Sequence, residues 1–184
     1  MSSVLEELHR DHMNFGRVLR ILGEECAALE SGQPTISDVM REALRYLREY
    51  IHGIHHAKED AIYTVVEERY PDCALPVHEL LTEHRDLYKL LSAIESHLHD
   101  LNGEHADTEA IAQRLRSLLE VELAHLYSEE QEVFPLLDDI LDEDDSQQSE
   151  EKAEPEDASG PDVLLLRGFL CHGGVLLSWT CSGR

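Results

Sequence analysis

Basic residues are scarce in this sequence: 15 Lys and Arg stand against 39 Asp and Glu, a formal charge of −24. Residues 1–141 carry −17 of it and residues 142–160 a further −8. A surface this acidic repels phosphate backbones and anionic bilayers, so neither nucleic acid nor a membrane is an expected partner. Cysteine is also rare. Cys26, Cys73, Cys171 and Cys181 form no C-x-x-C pair, which argues against a disulfide framework and against a thiolate zinc or iron–sulfur site. No basic-then-apolar leader is present; Ser3 leads straight into an amphipathic stretch, and the expected location is the cytoplasm. A phosphate loop and a nucleophile constellation are both missing, so no catalytic residue is assigned. Aromatics make up only 5% of the chain while Leu, Ala, Glu and Arg abound, which favours helices over sheet.

Four rows of apolar residues, stepping by three and four, predict four amphipathic helices. Ser3-Val4-Leu5-Glu6 has the form of a capping box, and its helix carries Leu5, Leu8, His12, Phe15, Leu19 and Leu22 before Ser31-Gly32. Pro34 and Ser37-Asp38 open the second, with Met40, Leu44, Leu47, Ile51, His55, Glu59, Ile62 and Val66, ended by Pro71. Gly53 lies inside it, as a surface glycine or a point of close backbone approach. Pro76 opens the third, with Val77, Leu80, His84, Leu87, Leu91, Ile94 and Leu98, closed by Asn102-Gly103. Asp107-Thr108 caps the fourth, with Ile111, Leu115, Leu118, Val121, His125, Glu129, Val133 and Leu136; Pro135 must kink or end it. The expected fold is all-α, an antiparallel up-down-up-down four-helix bundle over residues 1–141. Residues 142–160 read as a disordered acidic linker. Residues 163–180 are apolar but short and broken by Arg167, Gly168, His172 and Gly173-Gly174, which is too little for a membrane span. That tail has the composition of an unstructured or out-of-frame extension and is given no function.

Every row carries a histidine, and two carry a glutamate one turn later. One H-x-x-x-E match means little in a chain with 12 histidines, and His105…Glu109 is a third match in an expected loop. The repeat is the stronger signal. His12 and His84 are 72 residues apart, whereas His55 and His125, and Glu59 and Glu129, are 70 apart. Both first members sit in E-L-x-x-acid-H, and both second members in H-x-x-x-E-acid. Two hairpins with the same polar set define a pseudo-two-fold site in the bundle core.

Four imidazoles and two carboxylates can hold two metal ions, each by two His nitrogens and one oxygen from each bridging Glu. Positions then stay open for water, an oxo bridge, O₂ or NO. Such mixed donors suit iron first, with manganese or zinc behind it. Asp11 and Glu83 are read as exposed helix charges, with a role behind the ligands as the alternative. A ferritin-like assignment on Glu49…His52 and Glu122…His125 fails, because Glu49 leaves the buried row and helices 1 and 3 offer no further buried glutamate.

On Asp11-His12, His55-His56-Ala57-Lys58-Glu59-Asp60, Glu83-His84, His125-Leu126-Tyr127-Ser128-Glu129-Glu130 and Val133-Phe134-Pro135, the chain resembles the hemerythrin-like, or HHE cation-binding, domain family. The resemblance implies a four-helix bundle with a non-haem di-iron centre, two Fe per chain. His12, His55, His84 and His125 would then be terminal ligands, with Glu59 and Glu129 bridging. Oxygen-carrying hemerythrins have another histidine four residues after the helix 3 ligand; here that residue is Tyr88. The pattern looks more like the bacterial di-iron proteins linked to nitric oxide and iron–sulfur repair, without their cysteine-bearing N-terminal domain. His9, His52, His56 and Tyr88 are read as surface or rim groups.

The leading expectation is a di-iron protein that binds O₂, NO or peroxide in sensing, storage or stress response. Redox turnover, whether NO or peroxide reduction or iron delivery, is the alternative. A metal-stabilised interaction module is the third reading.

Overall fold

The computed structural model describes residues 3–32, 37–100 and 107–141, and all regular structure among them is helical. The first arm is α1, Ser3–Glu30. The second joins α2, Asp38–Tyr46, through a π-helical stretch, Leu47–His55, to α3, His56–Arg69. A 3-10 turn at Pro71–Cys73 leads into the third arm, α4, Leu75–Asp100. The fourth joins α5, Thr108–Ser128, through a second π stretch, Glu129–Val133, to α6, Phe134–Ile140. α1 packs on α2 and α5, and α4 packs on α3 and α5, which closes a four-helix bundle. Pro34, Asn102-Gly103, His105 and the tail 142–184 lie outside the described residues. No described helix is long and apolar enough to cross a membrane.

The arms begin and end where local chemistry directs. Ser37 Oγ accepts from the Met40 N–H at 3.0 Å and Asp107 Oδ1 from the Ala110 N–H at 3.0 Å, each satisfying an otherwise unpaired first-turn donor. Gly32 takes φ +94°, a conformation that costs glycine little, and closes α1. Pro135 does interrupt its arm, as expected, but does not end it. The π turn ahead of it leaves Pro135 in the first turn of α6, where a missing N–H goes unmissed.

Both π stretches answer the same problem. The buried rows advance by fours at Leu47, Ile51, His55, Glu59 and again at His125, Glu129, Val133, Leu137. In an α-helix each four-residue step overshoots a full turn by about 40°, so three in succession would carry the row roughly 120° off the core. A wider turn absorbs the overshoot and keeps both members of each H-x-x-x-E facing inward.

Rows one to three are buried as the sequence predicts. Row four is corrected. Val121 is 38% exposed and Leu136 only half-buried, while Glu122 and Leu137 are fully buried in their places. The sequence reading moved three residues from Leu118 to Val121, then four to His125; the fold moves four, then three. The apolar interior forms two clusters. One runs from Phe15 to Leu29 on α1 and includes Leu44, Leu91 and Leu115; the other gathers Leu5, Leu8, Ile62, Val77, Phe134 and Leu137. Between them lies a layer of buried histidines and carboxylates.

Candidate metal centre

The six residues singled out by the repeat meet in that layer. His12, His55, His84 and His125 are 1–4% exposed, and Glu59 and Glu129 are 0–1% exposed. Each carboxylate spans both imidazole pairs. Glu59 Oε1 faces His12 Nε2 at 3.3 Å and His55 Nε2 at 3.1 Å, and its Oε2 faces His84 Nε2 at 3.6 Å. Glu129 Oε2 faces His12 Nε2 at 3.4 Å, and its Oε1 faces His84 and His125 Nε2 at 3.5 and 3.2 Å. His84 and His125 aim their Nε2 atoms at each other, 3.0 Å apart.

The outer ring nitrogens explain that aim. His12 Nδ1 donates to Glu130 Oε1 at 2.6 Å, His84 Nδ1 to Asp60 Oδ1 at 2.6 Å, and His125 Nδ1 to Glu83 Oε2 at 2.8 Å. His55 Nδ1 faces Asp11 Oδ2 at 3.5 Å, and Asp11 is itself held by the Tyr50 hydroxyl at 3.0 Å. A hydrogen on Nδ1 leaves the Nε2 lone pair free to bind a metal, so Glu130, Asp60 and Glu83 orient three inward donors, while Asp11 stands beside His55 without a hydrogen bond to its Nδ1. The pattern repeats by halves. The acid after each buried Glu serves the histidine of α1 or α4, and the acid before each of those histidines serves the one on the other arm. Asp11, read from sequence as an exposed charge, is 6% exposed and belongs to this set. Glu83 is half-exposed as expected, yet it also holds a ring.

The donor set fits a metal on the structure's own terms. His12 Nε2, His55 Nε2 and both Glu59 oxygens are buried without a hydrogen-bond partner among the described residues. Leaving such atoms unsatisfied costs about 1–3 kcal/mol each, more where charged. His12, His55 and Glu59 converge within 4.8 Å, as do Glu59, His84 and Glu129.

Protons are the other cations that can satisfy these atoms. Burial discourages charge on His12, but the hydrogen bond to Glu130 and the nearness of Glu59 lift its pKa to about 9. Burial likewise opposes, and Glu59 with Asp11 outweighs it, at His55, lifted to about 10. At His84 burial loses to Asp60 and Glu129, giving about 9. His125 is raised well above its ordinary value, against burial, by Glu129 and Glu83. Burial and the Glu129 charge push Glu59 up, but His55 and His12 prevail and hold it near 2. Glu129 is also lowered, against burial, by His125 and His84.

Several neighbours escaped the sequence reading. His56, read as a rim group, is 3% exposed. It stacks on His84 at 3.9 Å between centroids and joins His84 and His125 in a set of nitrogens within 4.8 Å. Burial, then the charges of His84, His52 and His125, push its pKa well down. His52 is also misread, with its side chain only 2% exposed, 3.5 Å from the fully buried Glu122. His9, half-exposed against Glu130, and Tyr88, 50% exposed, do lie at the surface. Tyr63 was not singled out, yet its buried hydroxyl donates to Glu129 Oε1 at 2.8 Å. Its place one turn after Glu59 was the available signal.

A bundle whose core is a doubled His/carboxylate cradle between two apolar layers defines a helical metal-binding protein. The hemerythrin HHE cation binding domain model matches residues 3–147, and the chain belongs to that family. Comparisons with curated proteins and with solved structures return no match.

Proposed function

We propose that the chain is a non-haem di-iron protein that binds O₂, NO or peroxide in sensing, storage or a stress response. His12 and His55 would hold one iron and His84 and His125 the other, with Glu59 and Glu129 shared between them. The observation that carries this reading is the reach of each glutamate to both imidazole pairs. Two imidazoles and two carboxylate oxygens per ion leave coordination open, which suits iron better than a closed tetrahedral zinc site. Bound there, the iron pair supplies redox-active positions for a small ligand.

The protein's own part is orientation and exclusion. Asp60, Glu83 and Glu130 fix three of the rings, Asp11 lies 3.5 Å from the fourth, and the Tyr63 hydroxyl holds Glu129 on its His125 side. With every proposed ligand at most 4% exposed, only a molecule of a few atoms fits this reading. Metal analysis with absorption spectra under O₂ and NO tests it. Close to two irons per chain and ferric charge-transfer bands that change with ligand are expected. Zinc in their place, with no response to either gas, would sink the proposal.

A further inference from the structure

One turn from the proposed iron pair, the same two arms bring together His52 and Glu122. They occupy matching places in the repeat, 70 residues apart like His55 and His125, and face each other across the bundle. His52 Nε2 and both Glu122 oxygens are buried and lack a hydrogen-bond partner among the described residues. The separation of Nε2 from Glu122 Oε1 is 3.5 Å, too long for a good hydrogen bond. The other ring nitrogen of His52 is engaged, 3.1 Å from His56 Nδ1. With the shared hydrogen on His52, its Nε2 presents a lone pair to two acceptor oxygens, an arrangement that a cation between them makes favourable.

We infer that His52 and Glu122 form a separate cation subsite beside the proposed iron pair, taking a first-row divalent transition ion. The donor chemistry, one imidazole and one carboxylate, is of the kind such ions accept. Only two side chains supply it, so water completes the coordination and binding is weaker than in the four-donor sites. The subsite sits between the core and the surface. His56 connects it inward through the stack on His84, and Tyr88, half-exposed, stands edge-on to His52 at 6.1 Å. This goes beyond the di-iron reading, which leaves both residues idle.

Titration of the metal-free chain, residues 1–184, with Mn²⁺, followed by the loss of the free-ion electron paramagnetic resonance signal, tests the inference. Two tight equivalents and one weaker equivalent are expected. Glu122→Gln and His52→Gln should each abolish the weaker equivalent and keep the two tight ones, with helicity by circular dichroism unchanged. A wild-type chain that stops at two equivalents overturns the subsite alone. So does a third equivalent that survives both substitutions, or substitutions that remove the tight pair as well. A chain that takes no manganese counts against the subsite and the di-metal core together.

Discussion

Asp60, Glu83 and Glu130 touch no proposed iron site directly and still govern it, because each decides which nitrogen of a histidine looks inward. Asp60→Asn and Glu130→Gln should therefore weaken metal retention by roughly 10–100-fold while the helices stay intact. Competition with a chromophoric chelator measures this. Glu59→Ala is expected to do more, since both imidazole pairs lose a shared oxygen: metal content should fall to one equivalent or none. The histidines also set a pH window for the chelator-treated chain. Their folded pKa values of about 9, 10 and 9 lie above the ordinary 6.5. The stability they contribute is complete below about pH 6.5 and is lost as pH rises through 9 to 10. Melting of the metal-free chain at pH 6 and pH 10 should show the lower midpoint at pH 10. At this scale the sequence pointed to the six proposed ligands through their repeat. It hid Glu122 and His52 because charged and polar residues in a row of leucines look like surface, although the same 70-residue step links them.

The π stretches determine which side chains an arm presents, and they account for the misread positions His52 and His56. A period of 3.6 puts His56 off the row holding His55. A wide turn ending at His55 brings both residues inward. The run of fours in the second row is visible, but nothing in it marks the wider turn. Val121 has a different cause, since it lies in regular α5, where the buried row steps from Leu118 to Glu122 and then to His125. The caps at Ser37 and Asp107 needed no such correction, since their signal is local. Gly53 offers a clean test of the element. It is exposed, and an added Cβ would meet only the Arg48 carbonyl, at 3.4 Å. Gly53→Ala should stabilise the second arm by about 0.5–1 kcal/mol through its reduced backbone freedom when unfolded. A higher melting midpoint with metal content unchanged is the expected result.

Across the whole molecule, the polar layer is clamped by apolar clusters on either side, so the bundle has two cores to lean on when the metal is removed. Chelation should lower the melting temperature without abolishing helicity, because ion binding adds to a fold that already buries its leucines. The four apolar rows that build the bundle all end before Leu141. A chain ending at Leu141 is accordingly expected to keep its metal content and its cooperative unfolding, checked by metal analysis and calorimetry. The bundle itself was legible because its four apolar rows are long and regular. The asymmetry between its halves was not, because it comes from single positions such as Tyr63, whose counterpart 70 residues on is Val133.

The facing of His52 and Glu122 bears on ancestry. Two separate copies of one hairpin, paired about a two-fold axis, would already assemble the proposed iron ligands and the carboxylates behind them. In such a homodimer, however, any residue at this axial position meets its own twin, histidine against histidine or glutamate against glutamate. Two copies joined in one chain are free to differ at this position and to set a base opposite an acid.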